Sequence, residues 1–204
     1  MSGNLFIVWA PSGAGKSSLI AALLERDKNV RQSVSFTTRA PRAGEIEGKH
    51  YHFVTPAIFQ AMIKDGDFLE HAEVYGNFYG TSKKWIDEAM QNGFDVVMAI
   101  DWQGAQQIHR IFPQTVGVFI LPPSLDVLRQ RLTARGQDSA DVIERRLASA
   151  HEDMSHLGEF DYVIINNEFI EAVSDLLAIF RSQRLRRGAQ FKRNNGIISK
   201  LIKR

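Results

Sequence analysis

The chain of 204 residues contains no cysteine. That absence excludes a disulfide framework, a thiolate zinc site and a thiol nucleophile, and it fits a reducing compartment. Long apolar runs are missing too. Near the start, Leu5 to Ala10 is too short for a signal h-region or a membrane span, and no basic segment precedes it. The expected location is cytoplasmic, without membrane attachment. The six histidines (His50, His52, His71, His109, His151, His156) are scattered without metal-ligand spacing, and neither a solenoid-period repeat nor a low-complexity tract is present. What is there, 44% hydrophobic and 24% charged residues, suits one globular domain able to bury well over half of its unfolded surface.

The formal charge of +2 hides an asymmetry. Nine Lys or Arg and no acid lie in residues 176–204, leaving 16 basic against 23 acidic residues before them. The body is acidic and the tail, 188–204, is basic. Only Phe191 interleaves an aromatic ring with these cations, which favours a solvated helix face fraying into a mobile end over a nucleic-acid surface.

Apolar strings of strand length predict strands at Leu5–Trp9, Val34–Thr37, Asp95–Ile100, Thr115–Leu121 and Tyr162–Asn166. Helical patterns fall at Lys16–Arg26, Pro56–Lys64, Lys83–Asn92, Gln103–Ile111, Ser124–Ala134, Asp141–Met154 and Ile170–Arg187. Strands so apolar are buried on both faces, which predicts an α/β fold with a parallel sheet between helices. Two stretches break the rhythm. Ser35–Thr81, rich in Gly, aromatic and charged residues, reads as an insertion, and the polar stretch Arg131–Arg146 as a segment able to move.

Directly after the first strand comes Ala10-Pro11-Ser12-Gly13-Ala14-Gly15-Lys16-Ser17-Ser18, then a helical pattern. Phosphate binding needs backbone N–H groups converging at a helix N-terminus, a Lys for the β/γ charges and a hydroxyl for Mg²⁺. Gly13, Gly15, Lys16 and Ser17 meet those needs. Ala10 departs from the P-loop pattern, which has Gly there; a small side chain suffices if positive φ is not required.

The insertion carries Thr37-Thr38-Arg39-Ala40-Pro41-Arg42-Ala43-Gly44-Glu45, Gly48-Lys49-His50-Tyr51-His52-Phe53 and Tyr79-Gly80-Thr81. Here the sequence resembles the guanylate kinase family of bacterial type, from about Leu5 to about Arg187. The resemblance implies a P-loop nucleoside monophosphate kinase fold: a parallel-sheet core (1–34, 83–126, 158–187), a GMP-binding insertion (35–82) and a mobile lid (127–157). It implies that Arg39, Arg42, Tyr51 and Tyr79 grip the GMP phosphate while Ser35, Glu70, Gly80 and Thr81 surround the guanine. Chemistry agrees for Glu70, because one carboxylate can accept from guanine N1–H and its exocyclic amine, whereas adenine presents an acceptor at N1. Arg131, Arg135 and Arg146 match the family's lid and catalytic arginines; Arg145 is read as a solvated charge. Asn166 and Asn167 match the segment near the adenine site, though as bare sequence they could form a turn.

Asp101 ends an apolar strand where open α/β sheets bind ligands. It matches the second acid of the family's D-x-D or E-x-D pair, implying a role near Mg²⁺ or the acceptor nucleotide; a helix N-cap is the alternative. The first acid is missing, because Ala99 stands there, and Glu45 is a candidate replacement.

The implied reaction is Mg²⁺-dependent transfer of the ATP γ-phosphoryl group to GMP, giving ADP and GDP. ATP and GMP bring about six negative charges together, each like-charge pair at about 4 Å costing about 4 kcal/mol at an effective dielectric near 20. Mg²⁺, Lys16 and five arginines supply about eight positive charges against that. A function of another class is a non-catalytic guanylate-kinase-like module binding a phosphorylated partner; Lys16 and the arginines argue against it, Ala10 and Ala99 for it. Homo-oligomers occur among such proteins, but no residue here predicts one.

Overall fold

The computed structural model describes residues 3–42, 44–74, 76–134 and 139–202. A five-stranded sheet with strand order β2-β7-β1-β8-β9 forms the core, from β1 (Leu5–Trp9), β2 (Val30–Gln32), β7 (Asp95–Met98), β8 (Val116–Leu121) and β9 (Tyr162–Ile165). Every pairing in it is parallel. Helices cover both faces, so side chains of both parities along β1 are buried. On one face Phe6, Val8, Val97, Val118 and Ile164 pack against α1 (Lys16–Arg26) and α7 (Phe169–Leu185), with Phe6 stacked on Phe180. On the other, Ile7, Val96 and Met98 meet α3 (Lys83–Gln91) and α4 (Trp102–Ile111) through Ile86, Ala105 and Ile108. This two-sided burial explains the apolar strands.

Four strands form a second sheet, of order β4-β3-β6-β5: β3 (Phe36–Thr37), β4 (His52–Phe53), β5 (Phe68–Val74) and β6 (Asn77–Ser82). The hairpin β5–β6 carries an irregularity between Phe68 and Glu70. One helix, α2 (Pro56–Asp65), begins at Thr55, whose hydroxyl accepts from Ile58 N, and packs Phe59 against Phe68 and Phe78. A smaller cluster, Leu128, Leu132, Ile143, Leu147 and Ala150, joins α5 (Leu125–Ala134) to α6 (Ala140–Ser155). Arg129 and Glu144 pair across these two helices. A 3-10 turn, His156–Glu159, leads on to β9.

One expectation is corrected. The strand expected at Val34–Thr37 is confined to Phe36–Thr37 and belongs to the second sheet, while β2, a strand that was not expected, lies earlier and joins the core sheet edge. β2 escaped notice because Val30 is its one buried residue and Arg31 and Gln32 are exposed. The basic tail is helical, as a solvated helix face requires: α8 (Arg187–Ile202) continues past a kink at Asn194. Asp95, wholly buried on β7, anchors it. Asn4 donates twice to Asp95, and Arg184 and Arg193 pair with it. Among the described residues no helix is long and apolar enough to cross a membrane.

Candidate active site

At the C-terminal ends of β1 and β7 opens a cleft of about 580 Å³, where a parallel sheet offers its ligand crevice. The loop from Ala10 to Ser17 forms one wall. Gly13 and Gly15 have φ of 97° and 103°, a region that glycine enters without a Cβ penalty. Space demands glycine as well: a Cβ on Gly13 would lie 2.9 Å from Leu132, and one on Gly15 would lie 2.3 Å from the Asn166 amide nitrogen. That amide donates to Ala14 O at 2.7 Å, and Arg131 Nη2 donates to Asn166 O at 2.9 Å. The end of β9 and helix α5 thus buttress the loop from behind.

Ala10, Pro11, Ser12, Gly13, Gly15, Lys16 and Ser17 line the cleft, whereas Ala14 is buried behind it and Ser18 faces outward. Ala10 is a packed residue of the core beside Phe6 and Val8. The Lys16 ammonium rests 5.0 Å from the Trp9 ring centroid. Burial lowers its pKa to about 8, against the opposing pull of Asp101 and Asp153.

Across the cleft stand Ser35, Tyr51, Glu70 and Tyr79. Glu70 is 4% exposed and takes a 2.7 Å hydrogen bond from the Thr81 hydroxyl, which lies 3.2 Å from Ser35 Oγ. Burial raises its pKa to about 7, the Thr81 hydrogen bond opposing the shift. Gly80 packs against Phe68 and Phe59 behind this network. Tyr51 and Tyr79 meet edge to face at 5.9 Å.

Arg39 and Arg42 do not line the cleft. Arg39 Nη2 reaches both Glu45 oxygens, at 2.8 and 2.9 Å, and its guanidinium lies 5.5 Å from the Tyr51 ring centroid. Glu45 also accepts from Arg42 N, and the Arg39 hydrogen bond holds its carboxyl below the usual range. Glu45 is therefore engaged with Arg39 and, like Arg39 and Arg42, lies outside the cleft lining. The Arg42 side chain is exposed.

Asp101 lines the cleft and also caps α4, accepting from Gly104 N at 2.8 Å, so the two readings of this residue coexist. Burial raises its pKa. Arg146 Nη1 lies 3.3 Å from Ser12 Oγ, bringing α6 to the phosphate loop, while Arg145 is exposed and turned to Asp141 O. Arg135 and Gly136 lie outside the described residues.

Several cleft residues had not been singled out in the sequence: Trp9, Trp102, Ser149, Glu152 and Asp153. Arg146, Ser149 and Asp153 recur at i, i+3 and i+7, a helical face that would have pointed inward once Arg146 was placed. Burial, then Glu152, raises the Asp153 pKa to about 6. Trp102 is held by a parallel stack on His156 at 4.0 Å.

Among the described residues no group of three or more His, Asp or Glu is arranged to hold a metal ion. Beside the phosphate loop the cleft offers the Ser17 hydroxyl and the Asp101 carboxylate as oxygen donors, with Glu152 and Asp153 also in its lining. A hydroxyl and a carboxylate beside the phosphate loop fit Mg²⁺, which keeps several waters and is held by one or two protein oxygens together with substrate phosphates.

The model of the family described as guanylate kinase matches residues 2–183. Similar proteins include a guanylate kinase of Dechloromonas aromatica, 56% identical over 99% of this chain and 100% of that protein. Another, from Methylobacillus flagellatus, is 54% identical with the same coverage. The crystal structure of guanylate kinase from Anaplasma phagocytophilum superposes with a TM-score of 0.77 at 35% identity, covering 91% of this chain and 88% of that one. A P-loop at one wall of the cleft, a buried carboxylate at the other and these likenesses over almost the whole length agree: the chain belongs to the guanylate kinase family.

Proposed function

We propose that this protein transfers the γ-phosphoryl group of ATP to GMP in the presence of Mg²⁺, releasing ADP and GDP. The observation that carries this reading is the buried Glu70, hydrogen-bonded to Thr81 and facing the phosphate loop across one cleft. A carboxylate there accepts two parallel N–H bonds from guanine, and Ser35 and Thr81 fix its orientation. Arg39, Arg42, Tyr51 and Tyr79 take the acceptor phosphate; Arg39 and Arg42 reach it by the insertion closing on the core. The loop residues 10–18 hold the donor's phosphates, with Lys16 on the β/γ oxygens and Asn166 steadying the loop at the nucleotide's inner side.

The acceptor oxygen is already anionic near neutral pH, so no general base is needed. Its bond to γ-phosphorus forms as the bond to the β,γ-bridging oxygen of ATP breaks, and ADP leaves with that oxygen's electrons. Catalysis is alignment and charge neutralisation. Lys16, Arg131, Arg135 and Arg146 are the cations assigned to neutralise the transferring group, and closure of the 127–157 segment excludes the water that would otherwise hydrolyse ATP. Ser17 and Asp101 would hold Mg²⁺, which would supply positive charge to the phosphate oxygens. Dependence on ATP supports a cytoplasmic location.

The decisive measurement is coupled ADP formation with GMP, AMP, CMP and UMP, with and without Mg²⁺. GMP alone should support rapid, Mg²⁺-dependent turnover. Absence of phosphoryl transfer would leave a non-catalytic nucleotide-binding module as the better description, and equal rates with all four acceptors would remove Glu70 from its reading role.

A further inference from the structure

Lys16 carries the only positive charge of the phosphate loop. Among the described residues its ammonium forms neither a hydrogen bond nor an ion pair. Asp101 and Asp153 act on it through charge alone. The contact it does make is with Trp9, whose ring centroid lies 5.0 Å away. That is inside the reach of about 6 Å over which a cation is drawn to an aromatic face.

The two residues stand on rigid supports. Trp9 ends β1, with its backbone paired to Phe119 of β8, and Ile7, two residues earlier, is paired to Met98 of β7. Lys16 opens α1. With both backbones fixed, the flexible four-carbon stem of Lys16 is what remains to be placed. A long side chain without a polar partner samples several rotamers, and ordering it when a ligand binds costs affinity. A ring face beside the ammonium removes part of that cost in advance.

The choice of indole points the same way. Trp9 Nε1 is buried without a hydrogen-bond partner among the described residues. An unpaired N–H costs stability, and phenylalanine would avoid that cost. What indole adds over phenyl is the aromatic face with the strongest attraction for a cation. Ala99, just past β7 in the same lining, brings no charge that could hold the ammonium instead. A carboxylate holding it would also repel incoming phosphates, whereas a neutral ring does not.

We propose that Trp9 is a positioning residue: its indole face holds the Lys16 ammonium within the cleft before ATP arrives, so that the β/γ-phosphate oxygens meet a cation already in place. Its purpose rests on the phosphoryl-transfer reading, while the contact is measurable without transfer, in the absence of GMP.

The test is a double-mutant cycle on ATP binding, read by calorimetry with Mg²⁺ and without GMP. Trp9→Leu should weaken ATP about tenfold in the parent and less than about twofold in Lys16→Met, where no ammonium is left to place. Trp9→Phe, which keeps a ring, should bind ATP within about threefold of the parent. Fluorescence gives a second readout that needs no ligand. The emission lost in Trp9→Phe should differ between the parent and Lys16→Met, because the ammonium lies beside that indole. Equal weakening by Trp9→Leu in both backgrounds would make Trp9 a packing residue and overturn the proposal. Unchanged affinity in both, or identical Trp9 emission with and without the ammonium, would overturn it too. A coupled cycle in a parent that fails to phosphorylate GMP would support the contact and overturn the transfer reading instead.

Discussion

The Asn166 side-chain amide donates to the Ala14 carbonyl at 2.7 Å, across 152 positions of sequence. Through it the last strand of the core holds the floor of the phosphate loop. Asn166→Ala removes that brace and leaves the Ala14 carbonyl without its partner. The variant should lose about 1–2 kcal/mol of stability and raise KM for ATP several-fold with a smaller effect on kcat. Denaturant unfolding and initial rates check both parts; an unchanged KM for ATP would confine Asn166 to packing.

Lys16→Met should reduce turnover by at least about a thousandfold while the fold persists. The stability effect has the opposite direction. Burial brings the Lys16 pKa down to about 8, so the folded protein pays for the charged form below that pH. Lys16 retains some exposure, which discounts the gain to about 1–3 kcal/mol in favour of the nucleotide-free variant at pH 7. The advantage should shrink as pH rises from 8 toward 10.5. Melting curves across that range test the sign.

Glu70 carries a pKa raised to about 7 from 4.5. The protonated form stabilises the nucleotide-free fold, an effect complete below 4.5 and lost as pH rises through 7. Glu70→Gln removes that titration, so at pH 8 the variant should exceed the parent by about 3 kcal/mol at most. GMP requires the carboxylate. Its affinity for the parent should fall about tenfold per pH unit below about 7, and Glu70→Gln should flatten that dependence while losing the preference for GMP over AMP. Calorimetric titrations at several pH values read both.

Asp95→Asn leaves Arg184 and Arg193 beside a neutral, buried amide. Arg184 keeps Asp27, at 2.6 Å, but loses its inner partner. A destabilisation of about 3–5 kcal/mol is expected, with little change in KM for either nucleotide. Urea denaturation measures it.

Much of this was legible in the sequence where physics is local. Leu5–Trp9 and Lys16–Arg26 match the structure in both bounds because strand apolarity and the loop's glycines punctuate them sharply. The cleft's phosphate wall followed from the same residues. What could not be read depended on distant partners. β2 is a strand because β7 accepts it at the sheet edge, and its own residues barely declare it. Arg39 carried the right chemistry, but its pairing with Glu45 is visible only once the loop folds back on itself. Asp153 joined the cleft through the packing of α6 against α5, which sequence spacing alone does not position.

Asp95 also bears on the order in which the molecule can be completed. Its carboxylate lies in the central layer, yet its arginine partners are 89 and 98 residues further along. A ribosome therefore delivers β7 well before it delivers the counter-charge, and the nascent sheet must wait with Asp95 still hydrated. The last helices act as the closing stitch of synthesis, so premature termination before Arg184 would release a chain whose centre has not yet sealed.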